Sequence, residues 1–426
     1  VRELARAVAG GAAPTPSDVA VAAAAAGSPR AAWEQLLILN ASGEPRACEH
    51  NARLIVACAP ELAGTVTWND VGKRVEVRGG PLADVSEDCL DVALAGWLQR
   101  QRGLFCGAQM AGRALLQVAR ENPRDPVAEY LGELAWDGEP RAETFLETHL
   151  GAIGEPTYLR AVSRRWLVSL VARALRPGCK VDTVLVLEGP QGVGKSSAFE
   201  ALVGTENFLD TALELGEKDT MQAVASAWLV ELGELASLRG AEVGRVNQFV
   251  TSKVDRYRPP YGRVTVESPR RCVFVGTTND DTYRRDRTGN RRFWPARVER
   301  PLPDLVARAR DQVLAEAVAA FRAGDAWWLD SPTAALAANE AEGRLEDSAV
   351  EQAVRRWWLE IAPAQRPLAV TLLDVAERAL RMEPARVDHR ARCEIGHALR
   401  RAGFRAELRR DAGGRTRTYS PSAELR

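Results

Sequence analysis

The segment Gly189-Pro190-Gln191-Gly192-Val193-Gly194-Lys195-Ser196 satisfies the pattern G-x-x-x-x-G-K-[ST] at every position. It constrains the fold more than any other feature, because the pattern has a physical meaning only between a strand and a helix. Both neighbours are present: the apolar run Thr183–Leu187 reads as a strand, and Ser197–Leu202 continues as a helix. In that setting the glycines let successive backbone N–H groups turn inward and cradle a β-phosphate at the positive helix end. Lys195 would bridge β- and γ-phosphates and the Ser196 hydroxyl would ligate Mg²⁺. ATP and Mg²⁺ are therefore the expected ligands, held by Gly189–Ser196 with Ser197 behind them.

A phosphate loop needs a carboxylate at the end of a neighbouring strand. The run Trp228-Leu229-Val230-Glu231-Leu232-Gly233-Glu234 offers two. Glu231 ends the apolar stretch and would hold the metal, usually through water, while Glu234 could polarise an attacking water. Which glutamate takes which role stays open, and one of them could be a solvated loop carboxylate. A third strand, Cys272–Val275, leads into Gly276-Thr277-Thr278-Asn279. Asn279, with Thr278 behind it, would sit between the other two strand ends and orient the lytic water, or else cap the strand. Then follows Arg284–Pro295, with five arginines around a Thr-Gly-Asn turn. Arg291 or Arg292 could reach a γ-phosphate, in a neighbouring copy if the protein is a ring; the alternative is a solvated or locally paired cluster.

Between the second and third strands lies Lys253–Arg263, where Lys253, Arg256, Arg258 and Arg263 interleave with Tyr257 and Tyr261 around a Pro-Pro turn. Charges for phosphates and rings for stacking suit a single-stranded nucleic acid hairpin. An ordinary exposed hairpin or a subunit contact would look the same. Short apolar strands alternating with helical stretches over Val181–Glu299 indicate an α/β unit with a mainly parallel sheet.

The rest of the chain organises around this unit. At 426 residues the length exceeds one typical core, so roughly two to four domains are expected. We divide the chain into a poorly ordered tail (1–30), a mainly helical N-terminal domain with one hairpin (31–150), the phosphate-loop domain (151–300), a helical connector (301–347) and a C-terminal domain (348–426). The hairpin pairs Gly64–Trp68 with Arg74–Arg78 around Asn69-Asp70. The C-terminal pattern is helix (Val350–Ile361), helix (Leu372–Leu380), helix (Val387–Ala402), then strands Phe404–Leu408 and Thr416–Tyr419 around Ala412-Gly413-Gly414, which is the order of a winged helix. Arg390, Arg400 and Arg401 on its third helix, with further arginines on the wing, form a local basic patch for duplex DNA or for a protein contact.

Composition adds limits. Net charge is zero, so any basic surface is local. Arginine far outnumbers lysine, and the lysines are Lys73, Lys180, Lys195, Lys218 and Lys253; such a bias would keep lysine where a compact ammonium is needed, as at a phosphate, and chance placement is the alternative. The seven cysteines are odd in number and scattered, as free thiols of a reducing cytoplasm are. The Ala-rich Val19–Ala26 is neither a secretory signal nor close to the roughly 20 residues of a membrane span. His389, Cys393 and His397 extend too far along one helix to close a tetrahedral zinc site.

Taken in order, Gly189–Ser196, Trp228–Glu234, Asp255–Gly262, Gly276–Asn279 and Thr288–Pro295 resemble the virulence-associated protein E family, relatives of superfamily 3 helicases and of the primase-helicases of phages and mobile elements. Trp136-Asp137-Gly138, Pro177–Lys180 and Lys218-Asp219 agree, and the similarity runs from about residue 50 to residue 330. The resemblance implies an AAA+-like core assembled as a ring, a hexamer, with ATP at subunit interfaces. It makes Glu231 the Walker B acid, Glu234 the catalytic carboxylate, Asn279 a sensor, Arg291 or Arg292 a finger acting in trans and Lys253–Arg263 a DNA-facing hairpin. Glu231 and Glu234 stand three apart where related helicases place two acids side by side, so their roles remain open. The residues upstream of the phosphate loop show no set of metal-binding carboxylates, which leaves priming to a separate partner. The expectation is a cytoplasmic, oligomeric Mg²⁺-ATP-dependent DNA helicase or replication-initiation ATPase of a phage, prophage or satellite element. The rival from another class is an ATP-dependent DNA-binding regulator or defence switch that does not unwind.

Overall fold

The computed structural model describes residues 32–210, 218–233, 240–258, 265–279, 292–343, 349–383, 386–411, 414–422 and 425. The expected N-terminal tail, Glu234, Arg291, Tyr261 and Arg263 lie outside them.

The first unit contains helices α1 (Glu49–Cys58), α2 (Leu90–Arg102) and α3 (Ala108–Glu121), with strands β1 (Val66–Asn69), β2 (Arg74–Val77) and β3 (Pro123–Arg124). On α3, Ala111, Ala114, Leu115, Val118 and Ala119 recur every three or four residues and form one buried stripe. The stripe packs into a core with Trp33, Ile55, Trp97 and Leu98. The expected hairpin is present, with Val66 opposite Val77 and Asn69 opposite Arg74. Sequence reading did not find β3, which pairs parallel to β1 through Trp68 and Pro123. Two residues and an initial proline carry too little pattern to announce a strand.

Next come α4 (Pro126–Glu133), α5 (Phe145–Leu150), β4 (Ala152–Ile153), α6 (Pro156–Leu175), β5 (Val184–Glu188), α7 (Lys195–Val203), β6 (Phe208–Leu209), α8 (Lys218–Ala225), β7 (Leu229–Leu232), α9 (Gly240–Thr251), β8 (Val254–Tyr257), β9 (Val266–Pro269), β10 (Val273–Thr278), β11 (Phe293–Val298), α10 (Pro303–Arg322) and α11 (Ser331–Gly343). Six strands form one sheet in the order β4-β11-β5-β10-β7-β6. The five strands from β11 to β6 run parallel, and β4 is an antiparallel edge. Each strand carries apolar side chains on both faces, as a sheet covered on both sides requires. Leu185, Leu187, Val273, Val275, Trp294 and Ala296 pack with Trp166, Phe199, Val313 and Leu314 from α6, α7 and α10. Val184, Val186, Val230, Phe274 and Phe293 face the other way, onto Val224, Val246 and Phe249 of α8 and α9. The stretch assigned to a connector thus supplies α10, whose Val306, Val313, Leu314, Ala317 and Val318 are buried under the sheet. Helices α4 and α5 share this same core through Val127, Leu131, Phe145 and Leu150.

The last unit is α12 (Ala349–Glu360), β12 (Val370–Thr371), α13 (Leu372–Arg378), α14 (His389–Arg401), β13 (Phe404–Asp411) and β14 (Gly414–Pro421). Thr371 and Asp374 form a reciprocal capping box that starts α13. Asp388 caps α14 by accepting from the Ala391 N–H at 2.8 Å. Strands β13 and β14 make a hairpin from Phe404–Pro421 to Asp411–Gly414, and β12 joins β14 as a third strand. The core is Val354, Trp358, Ile395, Leu399, Phe404 and Tyr419, with Trp358 and Phe404 edge to face at 4.8 Å.

Candidate functional site at the carboxyl ends of the central strands

The alternation of side chains along a strand decides what meets at this site. Glu231 on β7 and Thr277 and Asn279 at the end of β10 share the sheet face on which α7 packs, and α7 begins with Lys195 and Ser196. The Ser196 hydroxyl donates to Glu231 Oε1 at 3.0 Å, and the Thr277 hydroxyl donates to the same oxygen. Lys195 Nζ donates to the carbonyls of Gly189 and Pro190, both at 2.7 Å, and to Asn279 Oδ1 at 3.3 Å. Residues from three adjacent parallel strands and one helix start therefore converge within hydrogen-bond reach.

Two glycines make the loop possible. A Cβ at Gly189 would lie 2.3 Å from the Val298 carbonyl oxygen, so the loop leaves β5 against β11 only with no side chain there. Gly194, the residue before α7, has φ +94°, a left-handed conformation that disfavours any other residue.

The electrostatics are those of a partly dry site. Burial lowers the Lys195 pKa below that of a free lysine, and the Glu231 carboxylate opposes the shift. Burial raises the Glu231 pKa above the ordinary carboxylate range; the hydrogen bonds from Thr277 and Ser196 and the charge of Lys195 pull it back, while Asp210, just past β6, pushes it further up. Glu231 Oε2 is buried with no hydrogen-bond partner. A buried carboxylate oxygen left unpaired is costly unless something else binds there.

Several expectations change. Thr277, not Thr278, touches Glu231: Thr278 faces the opposite side of β10, and its carbonyl accepts from the Gly189 N–H at 3.1 Å. A two-residue count back from Asn279 would have found Thr277. Arg292 stands next to Phe293, which pairs with Val184 at the start of β5, whereas Arg297 pairs with Glu188 at its end, beside the loop. Arg292 is thus about 20 Å along the sheet from the loop of its own chain, six residues at about 3.3 Å each. Its Nε is buried and without a partner.

The expected nucleic-acid segment forms the antiparallel pair β8–β9, with Asp255 opposite Ser268 and Tyr257 opposite Val266. The tip, residues 259–264, lies outside the described residues. Lys253, Arg256 and Arg258 are exposed, and Arg256 pairs with Glu267 at 2.9 Å. Tyr257 corrects the stacking expectation: it is buried, because alternation turns Asp255 and Tyr257 inward. Asp255 and Arg270 form a fully buried ion pair at the hairpin base, and Arg270 also lies over the rings of Phe249 and Phe274. In the last unit Arg400 is exposed on α14 beside Arg392, with Arg417 on β14. Arg390 and Arg401 occupy the same helix, with side chains outside the described set.

Among the described residues no helix is long and apolar enough to cross a membrane, and no group of three or more His, Cys, Asp or Glu could hold a metal. No curated protein matches the chain. Among solved structures, the C-terminal region of NrS-1 (residues 305–718) is similar at 12% identity and a TM-score of 0.44, over 84% of this chain and 96% of that one. JCV helicase is similar at 15% identity and a TM-score of 0.25, over 60% of this chain and 76% of that one. The virulence-associated protein E-like domain matches residues 131–346, starting later than the resemblance read from the sequence and leaving the α1–α3 unit outside it. That match spans just over half of the chain, and the protein belongs to the virulence-associated protein E-like family.

Proposed function

We propose that the protein is a Mg²⁺-dependent ATPase that acts on DNA as an oligomeric ring, a helicase or replication-initiation motor of a mobile element. The observation that carries the reading is the convergence of Lys195, Ser196, Glu231, Thr277 and Asn279 at the carboxyl ends of β5, β7 and β10. The strand order, with the loop-bearing β5 between β11 and β10 and the acid-bearing β7 next to β10, supports an AAA+-like core of the superfamily 3 type.

The donor set fits a small hard cation: the Ser196 hydroxyl, Glu231 and its unpartnered Oε2 are oxygen ligands of the kind Mg²⁺ takes, the remainder coming from phosphate and water. Bound there, Mg²⁺ would neutralise charge on the β- and γ-phosphates. Lys195, which donates to its own loop carbonyls, would turn its ammonium to the phosphates. Asn279, next to Lys195, would orient the attacking water; Glu234, two residues past β7 in the sequence, would polarise it. Arg291 or Arg292 would reach the γ-phosphate of a neighbouring copy, consistent with the distance between Arg292 and its own loop. The β8–β9 hairpin would track single-stranded DNA through Lys253, Arg256 and Arg258. The C-terminal unit would act as a winged helix, with α14 entering a major groove.

The test is the ATPase rate with and without single-stranded DNA at two salt concentrations, together with native mass. A large, salt-sensitive stimulation in a multimer is expected, followed by unwinding of a forked duplex. A slow, DNA-indifferent ATPase in a monomer would overturn the motor and favour an ATP-dependent switch.

Thr277 gives a sharper prediction. Metal capture needs Glu231 ionised, so Mg²⁺ affinity should fall as pH drops through the pKa of the metal-free carboxylate, which burial holds above the ordinary carboxylate range. Thr277→Val removes a donor that lowers that pKa, so the acid limb of the Mg²⁺-affinity profile should move to higher pH. A hydrogen bond to a charged group contributes about 1.5–3 kcal/mol, so the move should be about one pH unit or more. Superimposable profiles for the two proteins would refute the role.

A further inference from the structure

A cleft of about 460 Å³ opens between the α1–α3 unit and the foot of the β8–β9 hairpin, outside the phosphate-loop site. Trp68, Lys73 and Arg120 come from one side, Gln222 from α8, Tyr257 and Ser268 from the hairpin. Its size is that of a small-ligand site.

Two cations in it are placed unusually. Lys73 is one of only five lysines in the chain, and it sits at φ +54°, a left-handed conformation rare for a residue with a side chain. The turn is held from below: Asn69 Oδ1 accepts from the Val71 and Gly72 N–H groups at 2.8 and 2.7 Å, and Asn69 Nδ2 donates to Glu76 at 2.6 Å. Strain of this kind persists only where the surroundings over-determine it, and it gathers at functional positions. Lys73 is half-buried and its nearest acid, Asp70, is 3.8 Å away. Burial lowers its pKa; Arg271 and Arg120 add to the effect, and Asp70 and Asp125 oppose it. Arg120 lies over the Trp68 ring, its guanidinium carbon 3.7 Å from the centroid. Among the described residues no carboxylate is within ion-pair distance of Arg120. Glu267, the other acid lining the cleft, is taken by Arg256.

A guanidinium plane fixed on an indole offers its outer face to a nucleobase, and a desolvated ammonium nearby offers a place for a phosphate. We propose that this cleft binds one phosphate-bearing nucleotide, its phosphate at Lys73 and its base stacked on Arg120. The nucleotide is one residue of a single strand drawn past the hairpin or a free mononucleotide. The strand form rests on the reading that β8–β9 contacts DNA.

The test uses the full chain with its phosphate loop filled by a non-hydrolysable ATP analogue. Lys73→Gly removes the ammonium while suiting the left-handed turn, so it does not threaten the fold. Arg120→Met keeps an apolar cover on Trp68 and removes the charge. Binding of a fluorescein-labelled thymidine oligonucleotide and of thymidine monophosphate is measured across salt, with Lys253→Ala as the hairpin comparator. Each variant is expected to weaken the oligonucleotide about fivefold to tenfold, and Lys73→Gly also to make the log–log salt slope shallower by about 0.7 for the lost phosphate contact. Weakening of the mononucleotide alone would support the same site with a free nucleotide as its ligand. Unchanged binding of both ligands, with Lys253→Ala still weakening the oligonucleotide, would overturn the cleft and leave the DNA reading standing. A wild-type protein that binds neither ligand would overturn both.

Discussion

Lys195→Ala should lower ATP turnover by about 10²–10³ while leaving the protein folded. The Lys195 residue is largely buried, and its ammonium is the cation that the loop directs at its own carbonyls and at Asn279. In the transition state it would balance charge that spreads over the γ-phosphate oxygens, in a site dry enough to strengthen the interaction. Stability should move the other way. Burial depresses the Lys195 pKa, so the folded state holds the proton less tightly than the unfolded chain does. Wherever the charged form is present in both states its burial opposes folding, and stability rises as pH climbs through the depressed folded-state value. Alanine removes that penalty along with the charge. The expected pair of results is a thermal midpoint held or raised and a phosphate-release rate near background. A variant that hydrolyses ATP within threefold of the wild type would remove Lys195 from the mechanism, and the phosphate-loop reading with it.

Local pattern announced this site, and topology completed it. The segment Gly189–Ser196 was legible because its glycines answer to backbone needs that no other residue meets: contact with Val298 at Gly189 and a left-handed turn at Gly194. Glu231 was legible because an acid ending an apolar strand must have a reason to be there. Thr277 was not: a threonine at a strand end is ordinary until the order β5-β10-β7 sets it beside Glu231. Alternation could have assigned Tyr257 to the inner face of its strand, but the run of cations around it suggested a surface throughout. Helix α10 looked like a connector because its apolar stripe does not say which core it covers; packing against α6 and α7 decides that. Likewise the cleft at Lys73 joins residues from the β1–β2 hairpin, α3, α8 and the β8–β9 pair, and no spacing in the chain foretells it.

The largest expected effect belongs to the arginine loop, and it can be read without knowing the ring size. An arginine at a transferring phosphoryl group is worth about 10³–10⁵ in rate. Arg292 immediately precedes β11, at the end of the sheet away from the Gly189–Ser196 loop, so from there it would act on a neighbouring copy; Arg291 precedes it. Head-to-tail contacts in a closed ring place the loop of one subunit against the arginine of the next. A protein carrying Arg291→Ala or Arg292→Ala should then be nearly inactive, as should one carrying Glu231→Gln. Mixed and allowed to exchange subunits, they should recover activity. An interface with its loop from the arginine variant and its arginine from the Glu231→Gln variant has both halves intact, and random 1:1 assembly makes about a quarter of interfaces of that kind. Activity should therefore peak near equal mixing and vanish at both extremes. Recovery with one arginine variant and not the other would identify the finger. No recovery at any ratio, in a sample shown by native mass to exchange subunits, would mean that the arginine loop does not complete a neighbour's site.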